Sequence, residues 1–384
     1  PELLPAMEQT GAEEAAATVS GYLIACGGTG GHLAPGIALA EGMIEAGHKV
    51  SLIISLKDVD SRLVKGYPQM EFLRSPGSGF GWKPGAFFKF QWNQSRAFFF
   101  ALKTIRDYRP SAIVGFGGFL SVGVAIAGFI LGYPIVLHEA NRRTGRAIRL
   151  LSGLAQRIYL PEGTRLKSLP PQTVRHSGYP VRKEIRRMPQ ETAREKLGIK
   201  VTGKLLLVLG GSQGAVSLNS WVSEHFNQLA AENISIYCLT GLKKGTQGVI
   251  ESKQPNGQVV RAYFEPFSDK MAEVLSAADL VVSRAGAGSI AEFIRCSLPA
   301  ILVPYPYAAD DHQRANARFL EQQGGAIMVE QDKLERMADE VIDTIYNDWL
   351  LNRLRENLAR LDRNNPVKLM VRDLERISEG KEAV

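Results

Sequence analysis

The chain has 384 residues, of which 45% are apolar and 22% charged, a composition that excludes a disordered or fibrous chain and suits two globular domains. Lys and Arg number 46 against 39 Asp and Glu, a formal charge of +7, which favours an anionic partner such as a phosphate-rich ligand or an acidic membrane face. The basic residues are dispersed, with no zinc spacing and no RNA-recognition signature, so nucleic acid is not the expected partner.

Residues 1–20 lack a positive segment followed by an apolar run and read as a flexible tail, not a signal peptide. The apolar run Tyr22 to Cys26 then predicts a strand, and Gly27-Gly28-Thr29-Gly30-Gly31-His32 a tight turn. Behind it Ile37, Leu39, Ala40, Met43 and Ile44 recur at helical spacing until Gly47. Strand Lys49 to Ile54 follows, then a helix near Ser95 to Tyr108, strand Ala112 to Val114, a second turn at Gly115, Gly117 and Gly118, helix Ser121 to Leu131 and strand Ile135 to Leu137. Such alternation predicts a parallel sheet covered by helices. The longest apolar stretch, Leu120 to Leu137, is interrupted by glycines and Pro134 and falls short of the roughly 18 uninterrupted apolar residues of a membrane span.

A junction falls after Tyr179-Pro180, and the pattern restarts at Lys204 with strands at 205–209, 234–239, 259–262, 280–283, 300–303 and 326–329. Helices are expected from Lys333 to Leu361, with a last amphipathic helix from about Val367 to Ser378 after Pro366. The expected organisation is a tail (1–20), an N-terminal Rossmann-like domain (21–181), a C-terminal one (182–365) and a terminal helix (366–384). Whether that helix packs back on the first domain is left open by the pattern.

Another glycine turn, Gly210-Gly211-Ser212-Gln213-Gly214, follows the strand 205–209 just as the first follows Tyr22 to Cys26. Each sets backbone N–H groups at a helix start, where the dipole favours an anion, so two phosphate cradles are predicted. A dinucleotide site is disfavoured, because Ile53, Ile54 and Ser55 stand where an acid should end the second strand. Gly198 to Lys204 mimics a P-loop, but Leu205 replaces its Ser or Thr and the run precedes its strand. Asp58 and Asp60 sit in a polar stretch with no neighbouring His, and Cys26, Cys238 and Cys296 match neither a disulfide framework nor a zinc site. No metal and no cofactor is expected, and the cysteines point to a reducing compartment.

Three groups at predicted strand ends carry the chemistry. His32 stands at the rim of the first turn, as a general base or a phosphate donor. His138-Glu139-Ala140-Asn141 emerges where a buried strand ends. In the second half, Ser283 to Ser289 leads into a helix bearing Glu292, and Asp310, Asp311, His312, Gln313 and Asn316 gather at another helix start. Aromatic residues from Phe80 to Phe100, interleaved with Lys83, Lys89, Arg96 and Lys103, form either a lid on the core or a membrane-docking surface.

Taken in order, the two glycine turns, Gly115-Phe116-Gly117-Gly118-Phe119, His138-Glu139-Ala140-Asn141, Gly178-Tyr179-Pro180-Val181-Arg182 and Asp311-His312-Gln313 through Asn316 resemble the MurG family of glycosyltransferase family 28 across residues 21–365. The resemblance implies a GT-B fold, two Rossmann-like doubly wound sheets facing across a cleft. It implies inverting, metal-independent transfer of GlcNAc from UDP-GlcNAc to the C4 hydroxyl of MurNAc in lipid I, giving lipid II for peptidoglycan. The enzyme would be peripheral on the cytoplasmic side of the inner membrane, near other cell-wall enzymes.

By position the resemblance assigns Arg182, Ser212, Gln213, Phe267, Ser289, Glu292, His312, Gln313 and Asn316 to the donor. Thr29, Gly30, Gly31, Gly117, Gly118, His138 and Asn141 fall to the acceptor. His32 is the first candidate base and Glu139 the second. The chain departs from the family pattern at Ala34, Phe119, Ala140 and Tyr179, where a bulky residue, Tyr, Gln and Asn are common. The alternatives are a lipid glycosyltransferase with a diacylglycerol acceptor, an NAD-dependent oxidoreductase and a non-catalytic nucleotide-sugar sensor; turnover separates the last.

Overall fold

The computed structural model describes residues 20–28, 30–56, 58–76, 84–166, 169–211, 214–242 and 247–380. In the first half, strands β1 (Gly21–Ala25), β2 (Lys49–Ile54), β3 (Glu71–Arg74), β4 (Ala112–Gly115), β5 (Ile135–His138), β6 (Arg157–Leu160) and β7 (Val174–His176) form one sheet. Its order is β3-β2-β1-β4-β5-β6-β7, with every pairing parallel. Helices α1 (Gly30–Glu45), α2 (Asp58–Leu63), α3 (Pro84–Tyr108), α4 (Gly118–Ile130) and α5 (Arg146–Leu151) complete it. Tyr22, Leu23, Ile24 and Ala25 of β1 are all fully buried, as a strand covered on both faces requires.

The second half repeats the plan after α6 (Gln190–Leu197). Strands β8 (Lys204–Leu209), β9 (Ile234–Leu239), β10 (Gly248–Lys253), β11 (Val259–Glu265), β12 (Leu280–Ser283), β13 (Ala300–Leu302) and β14 (Ala326–Met328) run in the order β10-β11-β9-β8-β12-β13-β14. Around them lie α7 (Val216–Ala231), α8 (Met271–Ala277), α9 (Ala287–Cys296), α10 (His312–Gln322), α11 (Met337–Ile345) and α12 (Asp348–Leu361). The strand order reverses at β1 and at β8, so a crevice opens beyond the strand ends at each switch point.

Several elements differ from the sequence expectation. Helix α3 begins at Pro84, not near Ser95, because Pro suits a first helical position where no N–H is required. Strand β10 was not expected; it is the antiparallel edge beside β11, and its Val249 and Ile250 are exposed, so no buried run marks it. The helices expected over 333–361 are α11 and α12, divided at Asn347, whose side chain accepts from the N–H of Leu350 at 3.0 Å and caps α12.

The terminal helix α13 (Pro366–Ser378) crosses back and seals α1: Met370, Val371, Leu374 and Ile377 share a core with Ile37, Leu39 and Met43. Polar pairs fix it there. Asp373 accepts from Arg157 Nε at 2.8 Å and from Tyr159 Oη at 2.9 Å, and Glu375 pairs with His48 at 3.0 Å. Gly42 makes the approach possible, since a Cβ on it would lie 2.2 Å from Val367 Cγ1. We expect Gly42→Ala to destabilise the first domain by about 1–3 kcal/mol, the usual range for overpacking, read as a lower urea midpoint.

Candidate functional site

The cleft between the two halves has a volume of about 1280 Å3 and is lined from both sides, among others by Gly31, His32, Tyr179, Arg182, Glu292 and His312. On the first side its wall is the crevice between β1 and β4. Helix α1 starts at Gly30, so Gly30, Gly31 and His32 form its first turn. Pro35 lies inside this helix and has no N–H for the carbonyl of Gly31; the Tyr179 hydroxyl donates to that carbonyl instead, at 3.3 Å. Tyr179 thus has a definite job at a position where the family pattern carries Asn.

The His32 ring lies against Gly117 and Gly118, which hold left-handed φ values of 88° and 71°. A Cβ on Gly117 would come 3.6 Å from His32 Nε2, and one on Gly118 3.3 Å from Nδ1. The backbone favours glycine at both positions, and at Gly118 the ring leaves little room for a Cβ as well. The turn before α1 corrects the picture of an open phosphate cradle, because the Gly28 N–H is taken by the Asp60 carboxylate at 2.8 Å. Asp60 is fully buried although the stretch around it is polar in sequence. Thr29 lies outside the described residues.

The His138 segment is also corrected. His138 is buried in the core, with Nε2 donating to the carbonyl of Gly178 at 3.0 Å, so it supports the cleft floor and does not face an acceptor. Burial, with a smaller contribution from His32, holds its imidazole down to about 4. The unfolded chain therefore binds the extra proton first, and stability is present at neutral pH and lost as pH falls from about 6.5 toward 4. We expect a loss of roughly 3 kcal/mol over that window, checked by melting curves in which His138→Phe flattens the acid limb.

Glu139 was the second candidate base, yet both its oxygens are committed to its own loop. Oε1 accepts from the Asn141 N–H at 2.8 Å and Oε2 from the Gly145 N–H at 2.6 Å. Burial raises its carboxyl above the ordinary range despite these bonds. Asn141, which lines the cleft, and Asn316, assigned to acceptor and donor respectively, meet each other. Asn316 Nδ2 donates to Asn141 Oδ1 at 3.1 Å and to the Ala285 carbonyl at 3.1 Å, while its Oδ1 accepts from the Arg142 N–H at 3.0 Å. They lock the two domains together, in line with Arg149, which reaches Asp310 at 2.9 Å, and Arg142, which stacks 3.5 Å from the Phe319 ring centre.

The second wall belongs to the crevice between β8 and β12. Arg182 Nη2 pairs with Glu292 Oε1 at 3.3 Å, and Arg182 also reaches Tyr67 and Glu184. Burial raises the Glu292 carboxyl, with Arg182 opposing the rise; the Arg182 guanidinium is itself held above its ordinary value by Glu292 and its other acidic neighbours, against burial. Phe267, Ser289 and His312 line the cleft beside them. His312 Nδ1 donates to the Ala309 carbonyl at 2.7 Å, and Gln313 Oε1 accepts from the Tyr305 N–H at 3.0 Å, which fixes the start of α10. Ser212 and Gln213 lie outside the described residues.

Sequence reasoning missed Asp60, Tyr67 and Arg284. Arg284 is buried and spends its guanidinium on the Val303 and Pro304 carbonyls, Ser217 Oγ and Gln331 Oε1, tying the end of β13 to the start of α7 and to Gln331 beneath the second crevice. Its place directly after β12 was the available signal. Tyr67 gave none, since only folding brings it to Arg182.

Two α/β domains facing across a polar cleft, each with a glycine turn at its switch point, define the GT-B architecture. Residues 22–160 match the glycosyltransferase family 28 N-terminal domain and residues 205–368 the glycosyltransferase family 28 C-terminal domain. A UDP-N-acetylglucosamine–N-acetylmuramyl-(pentapeptide) pyrophosphoryl-undecaprenol N-acetylglucosamine transferase of Opitutus terrae is 53% identical over 94% of this chain and 96% of its own. The protein of the same name from Acidithiobacillus ferrooxidans is 37% identical over 82% and 85%. Among solved structures, Acinetobacter baumannii MurG superposes with a TM-score of 0.67 at 24% identity, covering 93% of this chain and 99% of its own. The chain belongs to glycosyltransferase family 28.

Proposed function

We propose that the chain transfers GlcNAc from UDP-GlcNAc to the C4 hydroxyl of MurNAc in lipid I, forming lipid II. The observation that carries this reading is the pairing of His32 on one wall with Arg182 and Glu292 on the other, across one cleft. Glu292 suits ribose hydroxyls, which are donors to a carboxylate, and Arg182 suits a diphosphate. His32 takes the proton of the C4 hydroxyl as that oxygen bonds to the anomeric carbon. The bond from that carbon to the UDP oxygen breaks on the opposite face, and configuration inverts. UDP leaves with the electron pair, its charge met by Arg182 and helix N-termini without a metal. Labelled UDP-GlcNAc incubated with a short-chain lipid I analogue tests this: a labelled disaccharide and UDP are expected, and transfer to diacylglycerol alone would overturn the acceptor assignment.

The substrate chemistry also calls for a membrane surface, and this reading assigns it to α3. Trp92 and Phe99 are each 67% exposed, and Trp92, Arg96, Phe99 and Lys103 fall at helical spacing on one stripe. Such a stripe suits docking on the anionic cytoplasmic leaflet, where each basic residue adds about 1 kcal/mol. The aromatics from Phe80 to Trp82 lie outside the described residues, as do the side chains of Phe87, Phe88 and Phe90. Among the described residues no helix is long and apolar enough to cross a membrane. The double variant Trp92→Ser, Phe99→Ser is expected to sediment less with anionic vesicles and to lose activity on long-chain acceptor while binding UDP normally.

A further inference from the structure

The first glycine turn rests on a carboxylate that no part of the transfer chemistry has used. Asp60 comes from α2, five residues beyond Ser55, and is fully buried. Its Oδ2 accepts three donors at once: the Gly28 N–H at 2.8 Å, the Ser55 N–H at 3.1 Å and the Ser55 hydroxyl at 2.5 Å. These bonds join the turn after β1 to the end of β2. The fit is tight, for a Cβ on Gly27 would lie 2.9 Å from Oδ2 and 2.4 Å from the Ser55 nitrogen. Above the turn, a Cβ on Gly28 would come 3.0 Å from the Phe119 ring. The turn is therefore clamped from below by Asp60 and from above by Phe119, and it hands directly into the helical turn that carries His32.

An ordinary loop-stabilising role would account for one or two bonds to a partly solvated carboxylate. Here a whole carboxylate is buried, and among the described residues its Oδ1 has no hydrogen-bond partner. A buried carboxylate needs hydrogen bonds to offset its desolvation, and here three donors converge on Oδ2. It also differs from the acid of a dinucleotide site, which reaches out to a ribose; this one points beneath the turn and is spent on backbone.

We propose that Asp60 is a positioning residue for the transfer step, fixing the first glycine turn so that His32 stands against Gly117 and Gly118 at the height of the acceptor hydroxyl. This rests on the reading of His32 as the base. A displacement of about 1 Å in such a group is enough to cost on the order of a hundredfold in rate. Charge-assisted bonds to one rigid carboxylate hold a turn more closely than neutral ones do.

The test compares Asp60→Asn, which keeps the shape and one acceptor oxygen, with His32→Ala and with the double variant. Asp60→Asn is expected to lower kcat on the lipid I analogue about tenfold or more, to leave UDP affinity within about twofold, and to move the His32 ring resonances in the NMR spectrum. In the double variant the loss should equal that of His32→Ala alone, since a residue acting through His32 adds nothing once His32 is gone. Multiplying losses, unmoved His32 resonances, or a native kcat in folded Asp60→Asn would each overturn the proposal. Should Asp60→Asn fail to fold, Ser55→Ala, which removes one of the three bonds, takes its place under the same criteria. The ring resonances need no turnover, and activity of the unaltered enzyme on lipid I is measured alongside. A failure of the transferase reading is thereby distinguished from a failure of the Asp60 assignment.

Discussion

His32→Ala is expected to fold normally and to transfer GlcNAc at least about a hundredfold more slowly, the usual cost of removing a general base. The ring is half-buried on the cleft wall beside Gly117 and Gly118, so its removal should leave the melting temperature near that of the unaltered protein. Donor affinity should hardly change, because the residue stands on the wall opposite Arg182 and Glu292. The measurement is kcat at saturating lipid I analogue beside UDP affinity by calorimetry. A near-native kcat would remove His32 from the chemistry. Glu139 would not inherit the role unchanged, since its two oxygens are held by Asn141 and Gly145 and would first have to be released.

Glu292→Ala is expected to weaken UDP binding by about 1.5–3 kcal/mol for each ribose bond lost, or roughly tenfold to a hundredfold in Kd. A second effect adds to the first. Arg182 is largely buried, and its partner at 3.3 Å disappears, so its guanidinium leans further toward Glu184 and Tyr67 and away from the diphosphate. Glu292→Gln, which keeps the shape and an acceptor oxygen, should recover part of the affinity. Unchanged UDP affinity in Glu292→Ala would take Glu292 out of the donor site.

The paired architecture was legible because parallel strands buried on both faces must be continuously apolar. Tyr22 to Ala25 and Leu205 to Leu209 therefore announce themselves, and a glycine turn directly after each marks the ligand end of its sheet. The edge elements were not legible. Strand β10 has exposed Val249 and Ile250 with no alternation that leads to a core, and α3 opens on Pro84-Gly85, a pair that also suits a loop. Candidate residues at strand ends were found for the same reason as the turns, since position after a strand can be read along the chain.

What the sequence by itself determined was the pair of Rossmann-like sheets and His32 at the rim of the first crevice, which follow from local pattern and place after a strand, and, through the resemblance its motifs carry, the family and Arg182 and Glu292 as donor-side groups. What only the tertiary structure decided was how the polar groups are spent. Asn141 and Asn316, 175 residues apart, bond to each other across the domains, and His138 turns inward to Gly178. Asp60 crosses from α2 to hold Gly28. A buried hydrogen bond is satisfied by whichever donor or acceptor folding brings within about 3 Å, and that proximity is a property of packing, with no trace in residue spacing.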